Sequence, residues 1–544
     1  MSASFYTAEV NAFRPGEITG ESTYAWATDA WAAPPQLPFE EAATAVFRAS
    51  DSGYRTEYAA GTVTVYPPVL ERTVDLDRLI TLAPSATAAS VSVGSIRLIN
   101  ADGRWDQVAG AFSPDARPVR LAYGQRIFDA TRRLWLDPPS SALVDLFRGL
   151  AQGWRLSETA LEIPLRDASY WLQQQYQRNV YGGTGGLDGD ASLAGQTKPR
   201  ARGGTSATPI QQAAPVLVDA VNRIYQINDG PGSVTAVYEN GLPFSFSGEV
   251  GDLYSGTTPA GTFRVDNARG LFQLGSPAVG TVTADVIGFF PAAGGQPAAR
   301  DIARYILTED MGLAADLVDV ASFAALPAGR VSGWYWPSGD QSTGAQAVSV
   351  FLRGLGAKLV PPRGGRLRAL PLRAVAAGAA IKAALGPAQI RDLRPNVLPA
   401  PLDPPAFRWR VGYARNHRLL GSAASEALTD ERRRALRQEW QYGVALSPSA
   451  QAAYATPSDP EPLVTALMSK TDAEALATAT ADLWSLKRRL YDATLPVEVG
   501  MKLDLGDIVR LSYPFGNLHD GQVGQIVGDQ MRGNDGTIVV QVLV

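Results

Sequence analysis

Short apolar runs that alternate with period two, each closed by Gly, Pro, Asn or Asp, set the strongest limit on what this chain can fold into. Between residues 1 and about 175 they recur as TVTVYPP from Thr62, SVSVGSIRLIN from Ser90, RPVRLAYG from Arg117 and ALEIPLRD from Ala160. Alternation sends every second side chain to one face, so each run suits a strand with one buried face, and the spacing of the turns suits a sandwich or barrel. Gly 53 and Pro 38 set against 19% charged residues favour strands, turns and long loops over helix bundles. With 544 residues the chain has room for several domains of about 100–200 residues each. The expectation is a mainly β, multi-domain protein with an α+β insertion.

Near the C-terminus a helical pattern precedes the alternation. Leu476, Leu483, Leu486 and Leu490 recur at helical spacing, which predicts a helix with one apolar stripe, Lys487, Arg488 and Arg489 in its last turn, and Pro496 as its stop. DIVRLSYP then puts Val509, Leu511 and Tyr513 on one face and Ile508, Arg510 and Ser512 on the other. With QVGQIVGD and the strand at Thr537–Leu543 it predicts a small antiparallel barrel on which the helix docks. Gly506-Asp507 reads as the turn before it.

Between these ends the character of the chain changes twice. The glycine-rich run from Tyr181 to Gly204 reads as a flexible connection; its GGTGG has no Lys-Ser/Thr pair and opens no helix, so it is not a phosphate loop. VNRIYQIND and SVTAVYENG read as a strand pair joined at Asp229-Gly230-Pro231-Gly232 and turned again at Asn240-Gly241, inside a small β unit that ends near Gly295. From Gln296 the pattern is α+β: a helix over Ala298–Thr308, an aromatic strand in SGWYWPSGD, a helix in TGAQAVSVFLRGLG and a hairpin in KLVPPRGGRLRALPL. A Pro-rich linker, 387–405, leads to a strand from Phe407 and a charged helix whose Arg432 to Arg434 run reads as a solvated face. The expected domains are 1–180, an N-terminal β barrel; 181–295, an inserted β domain; 296–400, an α+β domain with hairpin and linker; and 401–544, a C-terminal β barrel with its docked helix.

Few residues invite chemistry. There is no cysteine, and His417 and His519 have no His or Cys neighbour at ligand spacing. No G-x-S-x-G, HExxH or Walker A string occurs. Asn100, Asp102 and Asp106 have the look of calcium ligands, but the distal Glu of such a loop is missing and a structural turn accounts for them. Trp334, Tyr335 and Trp336 could stack on sugar or nucleobase rings, although alternating aromatics in a strand more often fill a core. A net charge of −4 and a pI of about 5.5 provide no basic field for sequence-specific nucleic-acid binding. The N-terminus has no basic region followed by an apolar core, and the longest near-apolar run, Ala374 to Leu385, is broken by Lys382, so neither an export signal nor a membrane span is expected. The sequence assigns no catalytic, cofactor-binding or metal-binding residue, and no enzyme is expected.

Two strings far apart carry a resemblance. One is GSIRLINADGRWDQV, Gly94 to Val108, followed by DARPVRLAYG; the other runs from Arg489 through LYDATLP and LDLGDIVRLSYPFG to Gly516. Together with Lys198-Pro199, the PVLVD of Pro215 to Asp219 and the VGYARN from Val411, they are similar to the tail-tip or baseplate hub proteins of long-tailed (siphovirus-like) bacteriophages and gene transfer agents. The resemblance implies a virion protein, made in the host cytoplasm, that closes the distal tail tube. It implies contacts with a distal tail or tail tube protein, the tape measure protein and the tail fibre or receptor-binding proteins. It also implies two tube-like barrels per chain, the block through about Asp167 and the block from Phe407 joined to Asp507–Val544. In a homotrimer these would form a pseudo-sixfold ring around a DNA exit channel with a neutral or acidic wall. The competing reading is a cell-wall-binding or peptidoglycan-cleaving tail protein, favoured by the aromatic strand and by carboxylate pairs that no short motif would reveal.

Overall fold

The computed structural model describes residues 4–14, 44–56, 63–86, 89–289, 297–533 and 535–544. Thr62 and the change of character expected at 295–296 lie outside them. The chain is mainly β, and two large sheets, each of eight strands among the described residues, curl toward closure.

The first is an antiparallel sheet in the order Thr44–Ser50, Ser4–Phe13, Pro118–Gln125, Val144–Ala151, Ala160–Arg166, Ser95–Ile99, Leu70–Arg72. Its two edges meet where Ser50 bridges Pro68, with Ser50 N donating to the Pro67 carbonyl at 2.8 Å. Alternation decides what lies inside: Leu161, Ile163 and Leu165 are buried while Glu162 and Arg166 point outward, and Ile96 and Leu98 are buried while Arg97 is exposed. Each such side chain contributes about 1.5–3 kcal/mol of transfer free energy.

The second sheet is ordered Ala383–Leu385, Ile508–Leu511, Gln522–Met531, Thr537–Leu543, Leu490–Pro496, Asp392–Asn396. Its first and last strands are one stretch of chain that turns at Gly386, where Gln389 N donates to the Gly386 carbonyl at 2.9 Å, so a single segment serves both edges. Val509, Leu511, Ile526, Val540 and Val542 fill the interior.

These sheets are joined by the chain itself. The segments Leu70–Leu79 and Ser90–Ile99 form one antiparallel ribbon. At one end Leu70–Arg72 pairs with Ser95–Ile99 inside the first sheet. At the other, Leu76–Leu79 pairs with Ser90–Val93 and also with Gly528–Met531 of the second sheet. Ile508–Leu511 pairs with only the first half of the long strand Gln522–Met531, as far as Gln525, and the ribbon takes the rest of the same edge; on the other edge the register with Thr537–Leu543 shifts between Ile526 and Gly528. One continuous core accordingly runs from Ile163 through Leu76 and Ile80 to Ile526 and Val540.

The remaining chain builds smaller units. A four-stranded and a five-stranded sheet, made from residues between Ile210 and Gly288, share a core that includes Val237, Phe263, Phe272 and Val286. VNRIYQIND and SVTAVYENG do not pair with one another: Ile224–Gln226 lies in the five-stranded sheet and Gly232–Glu239 in the four-stranded one. The turn at Asn240-Gly241 does form, with both residues at positive φ and Glu239 paired to Leu242. The α+β unit has the expected helix Gly344–Arg353, capped by Thr343 and Gln346 reciprocally, and the hairpin Ala357–Val360 with Arg368–Pro371.

The strand from Phe407 does not enter the second barrel. Arg408–Tyr413 is the middle of a three-stranded sheet with Gln441–Leu446 and Leu463–Val464, covered by the helix Lys470–Trp484. That helix stops at Trp484, where Arg488 donates to the Leu483 and Asp482 carbonyls at 2.8 and 3.2 Å. Leu486 is therefore 57% exposed instead of forming part of the apolar stripe, and Leu490 opens a barrel strand, paired with Leu543. The run from Tyr181 to Gly204 is pinned, not a free tether: Tyr181 is buried, Asp188 accepts from Gly182 N at 3.0 Å, and Arg200–Gly203 pairs with Gly333–Trp336.

Candidate assembly site at the joint of the two barrels

Arg78 stands on the ribbon beside Leu76, at a position that faces the interior. It meets Asp529 of the second barrel through two hydrogen bonds, Nε to Oδ1 at 2.9 Å and Nη2 to Oδ2, in the forked geometry that suits guanidinium and carboxylate. Arg363, on the turn between Val360 and Arg368, reaches the same Oδ2 of Asp529 and donates to the Gly500 carbonyl at 3.2 Å. Asp504 completes the cluster, 2.8 Å from Arg78 Nη1 and 3.7 Å from Arg368. Ribbon, hairpin and barrel are thus tied at one buried point. Burial works against the charge on Arg78 and Asp529 alike, but the opposite charges outweigh it: Arg78 is held above its usual range by Asp529 and Asp504, and Asp529 below its own by Arg78 and Arg363.

A second buried cluster ties the inserted β unit to the α+β unit. The helix Ala299–Tyr305 widens into a π turn over Ile306–Asp310, which presents Asp310. Arg202 grips that carboxylate with Nη2 at 2.7 Å and Nε at 3.0 Å, the Tyr176 hydroxyl donates to it at 2.6 Å, and Arg200 lies 3.6 Å away. Burial raises the Asp310 carboxyl but Arg202 and Arg200 hold it below its ordinary value.

The residues singled out in the sequence have structural duties. Asn100 Nδ2 donates to Asp106 at 2.8 Å, Trp105 N donates to Asn100 Oδ1 at 2.9 Å, and Asp102 pairs with Arg104, so these side chains close a turn on themselves. Tyr335 and Trp336 are buried, and Trp334 packs against Trp440 at 5.9 Å with Arg415 over its ring, which removes the exposed aromatic face that ring stacking on a ligand would need. His417 sits edge-on to Trp334 at 5.3 Å; burial and Arg415 keep its imidazole neutral, well below the usual range. His519 lies exposed at the end of the turn Gly516–Leu518. Arg432 and Arg433 are half-buried instead of solvated, the first over the Tyr238 ring and the second paired with Asp430.

Two outward surfaces are conspicuously apolar. The hairpin Ile127–Asp129 with Leu134–Leu136, beyond the end of a first-barrel strand, exposes Ile127, Phe128, Leu134 and Trp135, with the last aromatic pair in ring contact at 5.2 Å. The edge strand Gln441–Leu446 exposes Tyr442, Val444 and Leu446 on one face and carries no charged residue. Natural edges and hairpins usually blunt such surfaces with charge. Neither feature was visible in the sequence, where the same alternation reads as one buried and one solvated face. Among the described residues, no helix is long and apolar enough to cross a membrane.

No family model and no curated protein matches the sequence. Among solved structures the chain is similar to the tail protein from Neisseria meningitidis, at 12% identity and TM-score 0.35 over 90% of this chain and 96% of that one. It is similar to a chain of the native gene transfer agent virion at 17% identity and TM-score 0.38, over 64% and 84%. It is also similar to the 43 kDa tail protein of prophage MuSo2 from Shewanella oneidensis, at 8% identity and TM-score 0.32 over 90% and 97%. A further similar structure is the prophage tail protein gp18 from Listeria monocytogenes, at 7% identity and TM-score 0.31 over 90% of this chain and 94% of that one.

Proposed function

We propose that the chain is a non-enzymatic structural hub of a phage-type tail tip, acting as a homotrimer. In that role it closes the distal end of the tail tube and connects the distal tail or tube protein and the tape measure with fibre or receptor-binding parts, around a channel for DNA. The observation that carries the reading is the ribbon Leu70–Leu79 with Ser90–Ile99, which belongs to both barrels at once and fixes them as a pair. A ring needs subunits whose two joining surfaces keep a constant angle, because a heterologous contact closes only if each rotation is the same. Two barrels locked in this way supply that constancy, and three such chains present six barrels to a sixfold tube above while keeping threefold symmetry below. The sequence strings at Gly94 and Arg489 support the same reading independently of geometry. The exposed hairpin with Phe128 and Trp135 supplies apolar contact area for a neighbouring part.

Imaging or mass measurement of native particles tests the reading: the tip is expected to show threefold symmetry with two barrels of each chain in one ring. Any other symmetry would refute it. Trp135→Asp is expected to leave the isolated chain's unfolding midpoint unchanged while lowering the yield of complete tails, which distinguishes an assembly surface from a fold defect. Release of soluble fragments from peptidoglycan by the purified chain would overturn the non-enzymatic part.

A further inference from the structure

A cavity of ≈ 90 Å³ opens where the loop at 83–86, the end of the helix Gly344–Arg353, the strand Ala357–Val360 and the helix Lys470–Trp484 meet. Much of its wall is apolar, including Leu355, Leu476, Leu483 and Trp484. Apart from Thr480 the rest is cationic: Arg330, Arg353, Lys358 and Arg373 all line it, and no carboxylate does. Among the described residues none of the four makes an ion pair; Asp472 is the one acid whose field favours the charge on Arg330, from beyond ion-pair distance.

Neutral groups answer part of this charge. Lys358 Nζ spends its three protons on the carbonyls of Ala83, Pro84 and Ala86, at 2.9, 3.4 and 2.6 Å. Arg330 Nη1 donates to the Gly354 carbonyl at 2.6 Å, at the C-terminal end of a helix. A helix end offers about half an elementary negative charge, which suits one or two cations and not four. Arg353 Nε is buried with no hydrogen-bond partner. The cations also act on one another: burial and then Arg353 push the Lys358 ammonium down to about 8, and burial and then Arg373 lower Arg330.

We propose that this cavity binds a small oxyanion, of the size and charge of phosphate or a short carboxylate, with Arg353 and Arg373 as its donors, Arg330 and Lys358 supplying field, and Leu476 and Trp484 walling its uncharged side. The volume admits a handful of water-sized groups, which fits such an anion. The site lies between the first half of the chain, through Pro84, and the C-terminal helix, through Leu476 and Leu483, so an anion there draws together parts that are remote in sequence. The inference does not depend on the hub reading.

The test is thermal unfolding of the full chain at neutral pH, in chloride and with inorganic phosphate or acetate added at constant ionic strength. Phosphate is expected to raise the midpoint by a few degrees with a saturating dose dependence. Arg353→Gln is expected to abolish that rise and, in chloride alone, to be at least as stable as the parent because it relieves repulsion. Should that variant fail to fold, the exposed Arg373→Gln carries the test, with the response to phosphate expected to fall by half or more. Titration calorimetry with phosphate is expected to give one site per chain. No rise beyond the chloride control, or the same rise in the parent and in Arg373→Gln, would overturn the proposal.

Discussion

Asp529 is the side chain on which the joint most depends, because two buried guanidinium groups share it. Asp529→Asn leaves Arg78 and Arg363 buried with Asp504 as the remaining anion, and is expected to cost about 3–5 kcal/mol, read as a lower urea midpoint. Replacing Arg78, Asp529 and Arg363 together by apolar residues of similar volume is expected to cost much less, since desolvation of the charges disappears with them. The pH dependence follows from the same contacts. Both Asp529 and Asp310 titrate below the ordinary carboxylate value of 3.8 when folded. Their stabilisation is therefore fully present above that value and is lost as the pH falls through the depressed folded values. Unfolding midpoints measured from neutral pH downward are expected to hold until about pH 4 and then drop, and the drop should be shallower in Asp529→Asn. The turn at Asn100 was legible in the sequence, because the bonds to Asp106 and Trp105 that close it are local; the bond from Asn100 Nδ2 to the Ser157 carbonyl at 3.1 Å was not. The Arg78–Asp529 pair was not. Strict alternation in DLDRL sets Leu76 with Arg78 on one face and Asp77 with Leu79 on the other without saying which faces inward, and the partner that decides it is 451 residues away.

At the scale of elements, the C-terminal helix shows where periodicity misleads. Leu483 is 3% exposed and Leu486 57% exposed. Leu483→Ala is expected to cost roughly 2–5 kcal/mol from lost burial and the cavity left behind, whereas Leu486→Ala is expected to stay within about 0.5 kcal/mol of the parent. Equal effects on the urea midpoint would contradict the placement of the helix end. The sequence pattern ran on through Leu490 because that residue also falls at helical spacing, although its burial comes from the barrel. The start was legible in retrospect, since Ser469 accepts from Asp472 N as a helix cap. The helix docks on its sheet through small residues: a Cβ on Gly443 would lie 2.6 Å from Glu474 N and 2.7 Å from the Ala473 carbonyl carbon. Gly443→Ala must push strand and helix apart, at an expected cost of about 1–3 kcal/mol by thermal unfolding. Tyr442→Ala, one residue along but on the exposed face, is expected to be near neutral in the isolated chain. In the first barrel Ser95–Ile99, Pro118–Gln125 and Ala160–Arg166 were legible from alternation, and in the second Ile508–Leu511, Gln522–Met531 and Thr537–Leu543, whereas Leu490–Pro496 read as the end of a helix and Asp392–Asn396 as part of a Pro-rich linker. Which strand pairs with which was not legible, because nothing in the ribbon's sequence says that one of its halves belongs to a sheet whose other members begin near Ala383.

For the whole molecule, the ribbon makes a claim about cooperativity that the two barrels taken separately would not. Two closed sheets connected by a linker unfold independently, because few contacts cross between them. Here Leu76–Leu79 is a strand of the second barrel, Leu70–Arg72 a strand of the first, and the core around them is continuous. Opening the second barrel at Gly528–Met531 therefore exposes Leu76 and Ile80 and frees the segment that carries the first barrel's edge strand. Amide hydrogen exchange is the measurement suited to this, since it reports the opening free energy strand by strand. In Asp529→Asn the slowest amides of Thr537–Leu543 are expected to lose protection by the full unfolding cost of the substitution, and those of Ala160–Arg166, in the other barrel and without contact to Asp529, by nearly the same amount. The inserted β unit, with its own core around Phe263 and Phe272, is expected to keep its protection and serves as the internal control. Loss confined to the second barrel would mean that the ribbon is a hinge and not a brace, and a hinge could not hold the constant angle between barrels on which the proposed ring closure rests.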